Sequence, residues 1–257
     1  MKLTALIAAG ITAATLCGTA SAAAFEPDAS TKYLWHFDTS TTAPNGFVFT
    51  PSGIDPEDQV RFKNGANTSI TTGASGLYGE ALSHNGTSYI TQATWSDMGN
   101  IDIDFDLKIN ALPATTTSNT YQTLFEVSNV FRLRLMNAKG NAYYLNMWFR
   151  DNTNTAFSAV AKIDGTNVGD DATWQHFNVK YDADGSLLVK TDIEEVAKTG
   201  LGSGKLNVVE NSKLTIGIAY NGLMDEVRFA DPTIAVPEPA SLALLGLGGL
   251  AMLRRRK

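Results

Sequence analysis

Between residues 33 and 229, apolar and polar positions take turns over stretches of four to nine residues, with no sustained 3.6-residue period. The clearest stretch is 101–108, IDIDFDLK. Side chains of an extended strand alternate between its two faces, so Asp102, Asp104 and Asp106 fall on one side and Ile101, Ile103, Phe105 and Leu107 on the other. Comparable runs at 33–37, 46–49, 88–93, 101–109, 121–127, 131–135, 143–150, 157–163, 175–181, 186–191, 213–219 and 225–229 predict strands. Asn, Asp and Gly mark the joins, as in Ala138-Lys139-Gly140-Asn141 and Asp182-Ala183-Asp184-Gly185. Short strands following one another without helices predict an all-β antiparallel sandwich or jelly roll.

The alternation also assigns faces. Phe177, Val179 and Tyr181 point inward while His176, Asn178 and Lys180 point out, and Asp184-Gly185 supplies the hairpin turn. Phe131, Leu133 and Leu135 turn in, leaving Arg132 and Arg134 outside; Tyr143, Leu145, Met147 and Phe149 turn in, leaving Tyr144, Asn146, Trp148 and Arg150 outside. In 225–229 period two sets Asp225 on the apolar side with Val227 and Phe229, where its carboxylate needs backbone N–H donors from a neighbouring loop. Calcium is the other reading of Asp225. If short connections make sequential strands neighbours, the three aspartates lie beside Arg132, Arg134 and Arg150. That composite face is either a solvated, charge-paired sheet surface or a glycan-binding one. Trp148, Tyr144, Asn146 and Arg150 are the carbohydrate-binding candidates, combining aromatic stacking area with fixed hydrogen-bond partners.

The two ends follow different rules. Residues 1–22 combine Lys2, an apolar run from Leu3 to Leu16 and the small-residue site Ala20-Ser21-Ala22, the pattern of a secretory signal peptide cleaved after Ala22 or one to two residues later. The sole cysteine, Cys17, lies inside that segment, so the mature chain holds together without disulfides. At the other end, Ala240 to Leu253 is apolar for 14 residues. As a helix it would rise about 21 Å, short of the roughly 30 Å hydrocarbon core, and Arg254 to Lys257 would stay on the cytoplasmic side. The whole chain carries a net charge of −6; without Lys2 and the four terminal basic residues, 15 basic face 26 acidic residues. Such an acidic balance excludes a nucleic-acid partner that requires a broad basic surface.

Pro237-Glu238-Pro239, followed by the apolar run and terminal arginines, closely resembles the PEP-CTERM sorting signal over 236–257. The resemblance implies processing near Pro237, Glu238 and Pro239 by an exosortase-type membrane enzyme, with membrane contact through the C-terminal segment until then. Five stretches between residues 33 and 230 resemble the laminin-G-like, concanavalin A-like jelly roll: YLWHFDTS (33–40), GLYGEALSHNGTSYIT (76–91), IDIDFDLKI (101–109), TWQHFNVKYDADGSLLVKTD (173–192) and LTIGIAYNGLMDEVRFA (214–230). They imply a two-sheet antiparallel sandwich spanning 25–232, with carbohydrate binding or adhesion as common roles. Asp102-x-Asp104-x-Asp106 is also similar to the Glu-x-Asp-x-Glu strand of laminarinase-type glucanases. There, two carboxyls flanking the glycosidic bond perform hydrolysis. Here both outer side chains are one methylene shorter, with their Cα atoms about 13 Å apart.

The remaining chemistry is sparse. His36, His84 and His176 lack zinc-ligand spacing, and neither a nucleophile elbow nor a phosphate loop is present. Asp55 to Asp58 and Asp182 to Gly185 offer oxygen ligands for calcium without matching the EF-hand loop. The sequence therefore predicts an exported envelope or extracellular-matrix protein with no required cofactor, acting as a non-catalytic carbohydrate-binding or adhesion module with extracellular polysaccharide as a partner. The alternative is a glucanase-like hydrolase using Asp102, Asp104 and Asp106.

Overall fold

The computed structural model describes residues 24–25, 28, 30–37, 42–43, 48–49, 60–63, 70–86, 89–92, 99–114, 118–138, 142–201, 206–207 and 212–232. Among them are seventeen strands and no helix. In chain order the first seven are β1 (Thr31–Trp35), β2 (Thr42–Ala43), β3 (Val48–Phe49), β4 (Val60–Lys63), β5 (Ile70–Ser75), β6 (Glu80–Asn85) and β7 (Tyr89–Gln92). The middle of the chain forms β8 (Ile101–Ile109), β9 (Thr120–Val127), β10 (Phe131–Ala138), β11 (Ala142–Arg150) and β12 (Ala156–Lys162). β13 (Gln175–Asp182), β14 (Ser186–Lys190), β15 (Glu195–Lys198), β16 (Leu214–Ile216) and β17 (Asn221–Ala230) complete the set. The predicted signal peptide, the C-terminal sorting segment with Pro237, Glu238 and Pro239, and Asp55 to Asp58 lie outside the described residues.

Every pairing is antiparallel, and the strands form two sheets. The first runs β15-β14-β13-β8-β17-β6-β5-β2, with β1 sharing the edge of β17 that β6 also uses. The second runs β12-β11-β10-β9-β16-β7-β4-β3. The chain is thus the two-sheet antiparallel jelly-roll sandwich that the alternation and the resemblance predicted.

Apolar faces of the two sheets meet in one core. β8 contributes Ile101, Ile103, Phe105, Leu107 and Ile109, all fully buried, and β13 contributes Phe177, Val179 and Tyr181. Phe105 stacks on Phe177 within its own sheet and meets Phe125 of the opposite sheet edge-on, with centroids 5.0 Å apart. Phe149 and Tyr181 make a second crossing at 4.3 Å, and Phe125 and Phe229 a third at 5.3 Å. Each ring removed from water contributes about 1.5–3 kcal/mol, and edge-to-face pairing adds about 0.5–1.5 kcal/mol.

Residues 175–185 follow the predicted hairpin. Gly185 in its turn has φ +85°, and a Cβ there would approach Leu201 O to 2.6 Å, so the position requires glycine. The expected composite face does not form. β8 lies in the first sheet, whereas β10 and β11 lie in the second, so the aspartates and Arg132, Arg134 and Arg150 occupy opposite outer surfaces. Short turns keep β9 to β12 adjacent; the longer connection after β8 crosses between sheets, and sequential order ceases to report adjacency there.

Replacing Phe105 by Ala is expected to destabilise the protein by about 3–5 kcal/mol in chemical denaturation, since the ring touches both sheets. A loss below about 1 kcal/mol would contradict its central position.

Candidate functional site

The aspartate row lies on the outer face of the first sheet between β13 and β17. Directly opposite Asp106, Asp104 and Asp102 stand His176, Asn178 and Lys180, the three residues that the alternation turned outward. Asn178 Nδ2 donates to Asp102 Oδ1 at 2.8 Å and to Asp104 Oδ1 at 2.6 Å. Lys180 Nζ donates to Asp102 Oδ2 at 2.8 Å, and His176 Nδ1 lies 3.1 Å from Asp106 Oδ1. From β17, Arg228 reaches Asp104 Oδ2 at 3.3 Å and Asp28 Oδ2 at 2.8 Å. Asp102 and Asp106 are buried, and each aspartate of the row has at least one internal partner. Burial and the neighbouring Asp102 carboxylate raise the pKa of Asp104, while Asn178, Arg228 and His176 pull it back. The hydrogen bond to Asp106 raises that of His176.

β17 carries a bulge that strict alternation misses. Its register on β8 steps from Asp225↔Asp106 to Arg228↔Asp104, so Glu226 and Val227 together oppose Phe105. Glu226 takes φ +49° and is 1% exposed, although alternation turns it outward. Asp225 is fully buried and accepts N–H bonds from Leu77 at 2.8 Å, Tyr78 at 3.4 Å and Glu226 at 2.9 Å. This is the loop-donor arrangement expected of it. Gly76 makes the loop's approach possible, because a Cβ there would sit 2.6 Å from Asp225 Oδ2. Burial pushes Asp225 up to about 7, with Glu226 adding to the rise and the three backbone donors opposing it.

The carbohydrate-binding candidates lie on the other sheet, on the outer face of β9 to β12. Cross-strand register arranges them in rows: Glu126, Arg132, Trp148 and Ser158; Thr123, Arg134, Asn146 and Val160; Tyr121, Met136, Tyr144 and Lys162. Neighbouring strands are about 4.8 Å apart, and Tyr121 on β9 lies two strands from Tyr144 and Trp148 on β11. Arg132 pairs with Glu126 and lies 5.9 Å from the Trp148 ring centre; Arg150 lies 5.3 Å from the same ring and donates to Asn154 Oδ1. Arg134 sits 4.0 Å above Tyr121 and donates to Asn146 Oδ1 at 2.9 Å. Burial and the adjacent Arg132 lower the Arg134 pKa. Four basic side chains, Arg132, Arg134, Arg150 and Lys162, share this face with the Glu126 carboxylate, while Glu194 accepts the Lys162 backbone N–H at its margin.

Tyr121 was missed as a member of this face. Strict alternation groups it with Phe125 and Val127, but a register shift opposite Leu133 and Arg134 turns it outward, 39% exposed. Beside Tyr143, a cleft of about 330 Å³ is lined by Ala142, Lys162, Ile163, Gly165 and Thr166. Asp182 to Gly185 forms the hairpin turn, where Asp184 Oδ1 accepts the Ser186 N–H. Among the described residues, no three or more His, Cys, Asp or Glu side chains converge as a metal site.

Residues 235–257 match the PEP-CTERM protein-sorting motif. The chain is therefore an exported protein with a C-terminal sorting signal of the kind exosortase processes. No curated protein matches it in sequence. Its fold is similar to domain 4 of an extracellular arabinanase from Geobacillus stearothermophilus, a structure determined with arabinotriose. That likeness has 19% identity and a TM-score of 0.51, covering 67% of this chain and 82% of that one. It is also similar to the receptor-binding domain of botulinum neurotoxin D, with 12% identity and a TM-score of 0.50, covering 86% of this chain and 53% of that one. The chain thus spans about half of the toxin domain. At these identities the likenesses establish the sandwich and nothing finer.

Asp225 and His176 both gain proton affinity on folding. Asp225 rises from 3.8 to about 7, so the folded state holds an extra proton in that window and stability falls as pH rises through it. The slope from this group is at most about 1.4 kcal/mol per pH unit. The His176 contribution is fully present below its ordinary value of 6.5 and is lost as pH rises through its raised folded value. Urea unfolding is expected at lower denaturant at pH 8 than at pH 5. Asp225→Asn should flatten the acidic part of that dependence and His176→Gln the alkaline part; profiles unchanged by both variants would contradict the assignments.

Proposed function

We propose that the protein is an exported, non-catalytic module that binds acidic polysaccharide at the outer face of β9 to β12, acting in adhesion at the envelope or in the extracellular matrix. The folded module spans 25–232, preceded by a signal peptide whose pattern covers 1–22 and which is cleaved after Ala22 or one to two residues later. Exosortase processing near Pro237, Glu238 and Pro239 ends its transient membrane attachment. One observation carries the ligand assignment: in an acidic chain of net charge −6, this face groups Arg132, Arg134, Arg150 and Lys162 around Tyr121, Tyr144 and Trp148. Aromatic faces stack on sugar rings, and guanidinium groups pair bidentately with carboxylates. Uronate units present both features. The similar arabinanase domain was determined with arabinotriose, a neutral saccharide, which supports carbohydrate as the ligand class; the acidic character rests on the basic side chains alone. Internal partners for Asp102, Asp104 and Asp106 support a structural role for that row rather than the glucanase-like alternative.

Affinity electrophoresis of the exported protein should show retention in gels containing polygalacturonate but little in neutral β-glucan. Retention should weaken with salt, because exposed charge pairs are screened. Trp148→Ala and Tyr144→Ala should each weaken it by about tenfold, equivalent to about 1.4 kcal/mol of lost contact. Retention unchanged in both variants would remove this face from the ligand site, and release of reducing sugar abolished by Asp102→Asn or Asp106→Asn would restore the hydrolase reading.

A further inference from the structure

Glu226 presents an unusual requirement. Its carboxylate is buried beside the buried Asp225, whose own oxygens are taken by Leu77, Tyr78 and Glu226 backbone N–H groups. Arg228, the nearest arginine along β17, is directed to Asp104 and Asp28. Among the described residues, Glu226 is met by His36 Nδ1 at 2.8 Å from Oε1 and by the Phe25 nitrogen at 2.7 Å from Oε2. Among the described residues, the partners of these two acids are backbone N–H groups and the His36 ring, and none is a lysine or arginine. An amide at Phe25 supplies a dipole, whereas an amine there would supply a full positive charge.

The sequence before that nitrogen is Ala22-Ala23-Ala24, placing small residues immediately before the Ala24–Phe25 bond and two positions earlier. Phe25 and Asp28 both contact the sheet: the Phe25 ring meets His176 edge-on at 6.0 Å, and Asp28 binds Arg228. The Phe25 nitrogen is therefore held where a new terminus would be needed.

We propose that signal-peptide removal occurs between Ala24 and Phe25, and that the α-ammonium of Phe25 becomes the ion-pair partner of Glu226. A signal peptidase adds water across the peptide bond, leaving a carboxylate on Ala24 and a protonated amine on Phe25. Processing thereby places a cation beside Glu226, where the described residues supply no lysine or arginine, and completion of this face is coupled to export. The inference rests on the signal-peptide reading and is independent of the polysaccharide assignment.

The full chain with its own leader, expressed in an exporting bacterium, provides the first test. N-terminal sequencing should read Phe-Glu-Pro; a mature start at Ala23 or any other residue would overturn the proposal. The second test compares acylation of the Phe25 α-amine near neutral pH with that of the free peptide Phe-Glu-Pro-Asp-Ala-Ser, read by mass spectrometry. Pairing should slow the folded protein's reaction at least about tenfold, the effect of one unit of raised pKa. Glu226→Gln should abolish that protection. A wild-type rate equal to the peptide's would overturn the ion pair without requiring the variant to fold, as would protection retained in folded Glu226→Gln.

Discussion

The bulge in β17 is the constraint around which one face of the sandwich is built. Inserting one extra residue opposite Phe105 lets the core partners Val227 and Phe229 stay buried while two successive acidic residues are withdrawn from solvent. Burying a carboxylate costs several kcal/mol unless donors meet it. The structure supplies them from distant parts of the chain: the 76–78 loop for Asp225, and His36 with Phe25 for Glu226. Satisfying these acids therefore fastens β17 to segments on both sides of it. Beyond the bulge, Arg228 emerges on the outer surface opposite Asp104.

The two outer surfaces differ in how their charges are used. On the first sheet, carboxylates alternate with residues that neutralise or bridge them, and Asn178 joins two aspartates that would otherwise repel. Each exposed cross-strand pair is worth only tenths of a kcal/mol to about one. Their common effect is to consume the donor and acceptor capacity of the face internally. On the second sheet, basic side chains outnumber the carboxylate within reach and lie beside aromatic rings. That imbalance is the basis of the proposed anionic ligand.

Much of this was legible in the sequence, within the limits of a period-two pattern. It specified which side of β8, β10, β11 and β13 is buried, and the 175–185 hairpin, because those residues obey alternation and the turn demands glycine. It could not specify which strand lies beside which, so the aspartates were assigned arginines from the other sheet instead of His176, Asn178 and Lys180. Bulges defeat alternation locally, which is why a strict period of two would turn Glu226 outward and Tyr121 inward, against the structure. β5 and β6 were missed for a related reason. ITTGAS is short of apolar residues, and in EALSHN Ala81 and Leu82 are both buried in succession, so neither alternates cleanly.

The central claim is that ligand contact belongs to the open face of β9 to β12 and that the aspartate face is completed by the protein itself. Amide hydrogen exchange of the exported protein, with and without polygalacturonate, tests this most directly. The account predicts added protection within residues 120–138 and 142–162, with 101–109 and 175–182 unchanged. Protection confined to 101–109 and 175–182, or none in either sheet, would contradict it.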